Sequence, residues 1–200
     1  MLAHPAPPAL KAMISRWFRP IPQRKNIASL YGAIVAQARA PAFYSSYGVP
    51  DTVIGRLEMI MLHAVILLRR LRDESGTARR LAQGVFDAFC QDMDDNMREM
   101  GVGDLAVPRK MRRIGGAFYA RQAAYNHALA QPQNEALAAV LCRNIFAPGE
   151  HGIGPQRLAD YIREAVGELE GQASFERGSV VFPDPQELFR SEGRDGEICA

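Results

Sequence analysis

The chain has 200 residues, 48% of them hydrophobic and 23% charged, with a formal net charge of +2. That is enough apolar chain for one domain to bury a core, since about 150 residues already hide roughly 70% of their unfolded surface, and it excludes wholesale disorder and a dedicated DNA binder. Three cysteines, Cys90, Cys142 and Cys199, lie far apart with no C-x-x-C pair, which excludes a disulfide framework.

The charge is unevenly spread. No acidic residue precedes Asp51, whereas Lys11, Arg16, Arg19, Arg24, Lys25 and Arg39 all do. Residues 1–26 read as a basic, proline-containing arm. Within it, residues 10–19 (LKAMISRWFR) place Leu10, Met13, Ile14, Trp17 and Phe18 at helical spacing, with cations between them. Met13, Ile14, Trp17 and Phe18, with Arg16 and Arg19, are candidates for contact with an anionic membrane surface, as a basic amphipathic segment makes. Docking back on the body of the protein is the alternative. There is no apolar stretch with a small-residue cleavage site, so the arm does not read as a secretory signal.

The spacing predicts a first firm helix over 27–39, with Ile27, Leu30, Tyr31, Ile34, Val35 and Ala38 on one stripe. A loop, APAFYSSYGVPD, follows, and Asp51 is placed to cap a second helix over 52–73. That helix holds the most apolar run, Met59 to Leu68, apolar on every side. Flanked by Glu58, Arg69 and Arg70, the run falls short of the about 20 residues a membrane span needs. It therefore reads as the central, buried helix.

A third helix over 77–99 carries Leu81, Val85, Phe86, Phe89, Met93, Met97 and Met100, with Cys90 on the same buried side, and Gly101 and Gly103 end it. Pro108 opens a fourth, to about 130, with Met111, Ile114, Phe118, Tyr125 and Leu129 inward. A fifth spans 133–146, where Cys142 is expected inward, and a sixth spans 155–172. The run SVVFPDP reads as a brief β-like piece, and 186–200 as a polar tail. The fold class is all-α: one helical bundle over 27–185, of about six main helices with short loops.

Motifs for covalent chemistry are missing. His4, His63, His127 and His151 lie on different segments, and no phosphate loop, zinc motif or nucleophile elbow occurs. No catalytic residue, cofactor or metal is therefore assigned. His63, inside the apolar helix, is expected to be buried with its nitrogens hydrogen-bonded. The segment that stands out is 87–104, DAFCQDMDDNMREMGVGD. Asp92, Asp95 and Glu99 lie at i, i+3 and i+7 on one helix face, followed by Gly101 and Asp104. Arg109, Lys110, Arg112 and Arg113 then crowd a helix N-terminus, where each cation costs about 0.3–1 kcal/mol. Either the preceding acidic face or an external anionic partner should offset them. These nine residues are the candidate partner-binding site. Two other readings stay open: a small helical enzyme or metal site on the Asp92, Asp95 and Glu99 face, and a ribosome or RNA adaptor acting through the basic arm.

Three segments resemble the ubiquinol–cytochrome c chaperone family: residues 38–71, residues 82–125, and the pair LCRNIF (141–146) with VVFPDP (180–185). The string REMGVGDL with the upstream DMD is the most specific part. The resemblance implies an all-helical, non-enzymatic assembly chaperone for the cytochrome bc1 complex, of bacterial type. It implies newly made cytochrome b, or other bc1 subunits, as partner. It carries a ribosome contact and a small partner protein from the mitochondrial members. The expected location is cytoplasmic, with peripheral contact at the inner membrane, or the mitochondrial matrix in a eukaryote. Methionines such as Met59, Met61, Met93, Met97, Met100 and Met111 suit an adaptable apolar surface, though each also serves as core filler.

Overall fold

A computed structural model describes residues 21–72, 76–146, 149 and 152–190, with side chains from residue 23 onward. The described chain forms seven helices: α1 (Ile21–Ala38), α2 (Pro41–Ser45), α3 (Val53–Arg72), α4 (Gly76–Glu99), α5 (Val107–Leu129), α6 (Glu135–Ile145) and α7 (Gly154–Gly171). No strand occurs among the described residues.

Helix α3 is the axis. It touches α1, α4, α5, α6 and α7, and those five follow one another around it: α1 against α4, α4 against α5, α5 against α6, α6 against α7. This is where an all-round apolar helix must sit, and residues Glu58 to Leu68 are all buried. The seam between α7 and α1 is crossed by the chain after α7. Gln37 on α1 donates to the Pro183 carbonyl at 2.8 Å, and Gln172 holds both the N–H and the C=O of Val181, at 3.0 and 2.7 Å. Residues expected as β-like are therefore an extended strap, hydrogen-bonded to side chains and not to a second strand. Beyond it, residues 185–190 form a helical turn. Leu188 and Phe189 pack on the core there, so the chain just past 185 is partly apolar anchor and not polar throughout.

Several local expectations change for physical reasons. Helix α1 begins at Ile21, six residues before the predicted residue 27, and takes Pro22 into its first turn, where a missing N–H costs nothing. The predicted loop contains α2, which places Phe43 fully inside the core. Thr52, not Asp51, caps α3: its hydroxyl accepts the Gly55 N–H at 3.0 Å, while Asp51 pairs with Arg56 at 2.6 Å. The entry is tight enough that a Cβ on Gly55 would meet the Pro50 carbonyl oxygen at 2.0 Å. Helix α6 starts at Glu135 because the carbonyls of Gln131 and Gln133 are taken by Arg163 from α7, at 2.6 and 2.9 Å.

The one buried carboxylate of α3, Glu58, is met by Arg121 of α5 through two parallel bonds of 2.9 and 2.6 Å. A two-pronged pair satisfies the charge that burial would otherwise punish.

Candidate functional site

Beneath the strap lies a buried polar chain. His63 is fully buried, and its Nδ1 is 2.8 Å from the Met59 carbonyl, one helical turn back. A carbonyl only accepts, so Nδ1 carries the proton. Nε2 then accepts from the Tyr161 hydroxyl at 2.9 Å, and that hydroxyl accepts from the Gln37 amide at 2.9 Å. Burial pushes the imidazole down to about 4, against the smaller opposing effect of its bond to Met59. Phe43, Tyr161 and Phe182 ring it, at centroid distances of 5.5, 5.7 and 5.4 Å. A neutral histidine with both nitrogens engaged ties α1, α3, α7 and the strap together. It has no nitrogen left for a substrate.

The acidic–glycine segment forms the turn from α4 into α5. Gly101 has φ of +78°, and the bonds Gly101 N–H to Arg98 C=O (2.9 Å) and Val102 N–H to Met97 C=O (3.0 Å) close the helix end. Within this turn Arg98 pairs with both Asp94, at 2.7 Å, and Asp104. The segment thus neutralises part of its own charge. Of the two offsets open to the following basic run, pairing with the preceding acidic face does not form. Arg109, Lys110, Arg112 and Arg113 are all exposed, and none of them makes an ion pair among the described residues.

Nor do the three carboxylates act as one cluster. Asp92 is half-buried, accepting the Tyr31 hydroxyl at 2.6 Å and the Asn96 amide at 3.0 Å. Burial, then the bond to Asp92, pushes the Tyr31 phenol up. Asp95 is exposed and accepts from Gln91 at 2.6 Å, and Glu99 is exposed on the last turn of α4. Among the described residues no three His, Cys, Asp or Glu side chains converge to hold a metal ion.

What the structure does build is a groove of about 660 Å³ between α1 and α4. Ile27, Ala28 and Tyr31 line it from α1, Gly84 and Ala88 from α4, and Asp87, Asp92 and Asp95 add carboxylates opposite Arg24. Sequence reasoning found two of these carboxylates and missed the groove. The available signal was the spacing of Gly84, Ala88, Asp92 and Asp95, which leaves a stripe of small and acidic side chains beside a helix of larger ones.

Large apolar side chains are exposed elsewhere. Val53 (70%), Ile54 (64%), Met100 (63%) and Leu105 (98%) are exposed. Helices α3 and α4 are three residues apart and α4 and α5 seven, and each packs on the next, so they alternate in direction and the start of α3 and the α4–α5 turn share one end of the bundle. Met100, expected on the buried stripe, is thus outside, while Met59, Met61 and Met97 are core. Cys90 and Cys142 are half-buried and not core, and burial raises the Cys90 thiol to about 11. Trp17 and the other arm residues proposed for membrane contact lie outside the described residues. No helix among the described residues is long and apolar enough to cross a membrane.

Comparison with known proteins bears on this architecture. A solved structure, the Cbp3 homolog from Brucella abortus, superposes with a TM-score of 0.76 at 32% identity, over 90% of this chain and 97% of that one. The ubiquinol-cytochrome-c reductase complex assembly factor 1 of Xenopus laevis is 23% identical over 159 residues, 76% of this chain and 78% of the relative. Its counterpart in Mus musculus is 23% identical over 138 residues, covering 68% of this chain and 46% of the relative. The family model for the ubiquinol-cytochrome C chaperone matches residues 45–182, from the end of α2 to the strap that covers His63. The axis helix, the groove-bearing α4, the acidic–glycine turn and the closing strap all lie inside that match, and the chain belongs to the ubiquinol-cytochrome C chaperone family.

Proposed function

We propose that this protein is an assembly chaperone for the ubiquinol–cytochrome c reductase complex, holding newly made cytochrome b or an early subcomplex and doing no covalent chemistry on it. The observation that carries the reading is the family match through residues 45–182, which takes in the axis helix α3 and the helices α4 to α7. A holding role is supported by the surface. Val53, Ile54, Met100 and Leu105 offer apolar contact at one end, and Arg109, Lys110, Arg112 and Arg113 stand exposed beside the α4–α5 turn. A non-catalytic role is supported by the state of His63, which is neutral, buried and fully hydrogen-bonded. Glu99, Gly101 and Asp104 belong to the same contact surface through the turn they shape, while Asp92 and Asp95 face the groove. Residues 10–19, with Trp17 and Phe18, would give reversible contact with the membrane where the client is made.

The test is affinity capture of the full chain from native membranes. Cytochrome b or another bc1 subunit should be enriched, and Leu105→Asp, or Glu at Arg109, Lys110, Arg112 and Arg113 together, should cut that recovery several-fold with helical content unchanged. Failure to enrich any bc1 subunit would refute the function. Equal recovery by the variants would refute the surface.

A further inference from the structure

We infer that the groove between α1 and α4 is the docking site of the chain's own residues 10–19, the basic amphipathic segment just before α1. The groove has a definite chemistry. Its floor is small and apolar, at Ala28, Gly84 and Ala88, and its rim carries three carboxylates, Asp87, Asp92 and Asp95, against one guanidinium, Arg24. An occupant should therefore be apolar on one side and cationic at its edges.

Residues 10–19 have that pattern. Leu10, Met13, Ile14, Trp17 and Phe18 recur at i, i+3, i+4, i+7 and i+8, and Lys11, Arg16 and Arg19 supply three cations with no acid. The reach also agrees. Only Pro20 separates Arg19 from the start of α1 at Ile21, and the α1 side of the groove is built by Arg24 to Tyr31, in the first three turns. Ten residues can span up to about 35 Å, and Arg24 to Tyr31 rises about 10 Å, so the segment is long enough to reach back along the groove. The tether favours this occupant over a free partner, because a segment on a short linker meets its site at an effective concentration on the order of millimolar.

The same five apolar side chains cannot lie in the groove and in a bilayer at once. Docking is thus the lipid-free state of a segment that anionic lipid would draw away. It does not depend on which client the protein serves.

Trp17 is the single tryptophan of the chain and reports directly on the segment. In the full-length protein without lipid, its emission should be blue-shifted, and iodide should quench it several-fold less than a free indole amide, at every protein concentration. Asp95→Lys at the exposed rim, and Ala88→Phe, which fills the floor and leaves the charges intact, should each shift the emission to the red and restore quenching, with far-UV circular dichroism unchanged. Emission of a fully exposed indole in the unmodified protein would overturn the inference, as would indifference to both substitutions. Protection lost on dilution would place a second copy's segment in the groove and overturn it. Protection seen only with phosphatidylglycerol-containing vesicles would make lipid the sole site and would overturn it as well.

Discussion

Helices α3 and α4 are consecutive, of similar length and only three residues apart, yet they do opposite work. In α3, 13 of 20 residues are buried, and the helix touches every other long helix. In α4, six of 24 are buried, and the remainder build a groove wall, an acidic face and a glycine-ended turn. The difference is one of neighbours. A helix ringed by five others has, past its exposed first residues Val53 and Ile54, no outward side to give to a partner. A helix in the ring keeps one, and that side is free to carry charge. Stability and recognition are thereby assigned to adjacent stretches of one chain, and substitutions should separate them.

The largest effect is expected on α3. Leu62 is completely buried, and Leu62→Ala should cost about 3 kcal/mol, lowering the melting temperature by roughly 6–12 °C in calorimetry. Asp95→Ala on α4 should move it within about 0.5 kcal/mol. A comparable loss at both positions would erase the contrast.

Next comes pH. The native His63 has its value depressed to about 4, from 6.5 in an unfolded chain. Above pH 6.5 neither state is protonated, and the residue adds no pH dependence. Between 6.5 and about 4 the unfolded chain takes up a proton that the native protein refuses, so stability falls with pH, by up to about 3 kcal/mol. Chemical denaturation across this range should show that slope, and His63→Leu should flatten it while lowering stability near neutrality, because the buried Tyr161 hydroxyl loses its acceptor. An unchanged slope would mean that His63 is not the group responsible.

The smallest effect belongs to the turn. Gly101 lies at φ of +78°, and a Cβ added there would find nothing within 4 Å. Gly101→Ala therefore meets backbone strain alone, about 1 kcal/mol, and Gly101→Asn less, as thermal melts should show. A larger loss would mean that the turn packs against more than solvent.

Much of this organisation is legible in the residues themselves. Helical spacing located six long helices, because burial of one face repeats every three or four residues whatever the neighbours are. The uninterrupted run from Met59 to Leu68 marked the axis, and Gly101 marked a helix end, since few other residues accept its backbone angle. The family string REMGVGDL was readable for the same reason: it is local.

Pairings between distant segments were not readable. Glu58 looked like an interruption of the apolar run until Arg121, 63 residues later, proved to be its partner. Arg98, not the basic run that follows, takes up Asp94 and Asp104. The aromatic ring around His63 draws on α2, α7 and the strap, which come together only when the bundle closes. By itself the order of amino acids determined which faces must leave water and where the chain must turn, because those costs arise residue by residue. Which faces meet, and which side of α4 stays open as a groove, was decided only by tertiary structure, because an ion pair, a buried hydrogen bond or a cleft exists only between elements and has no period along the chain.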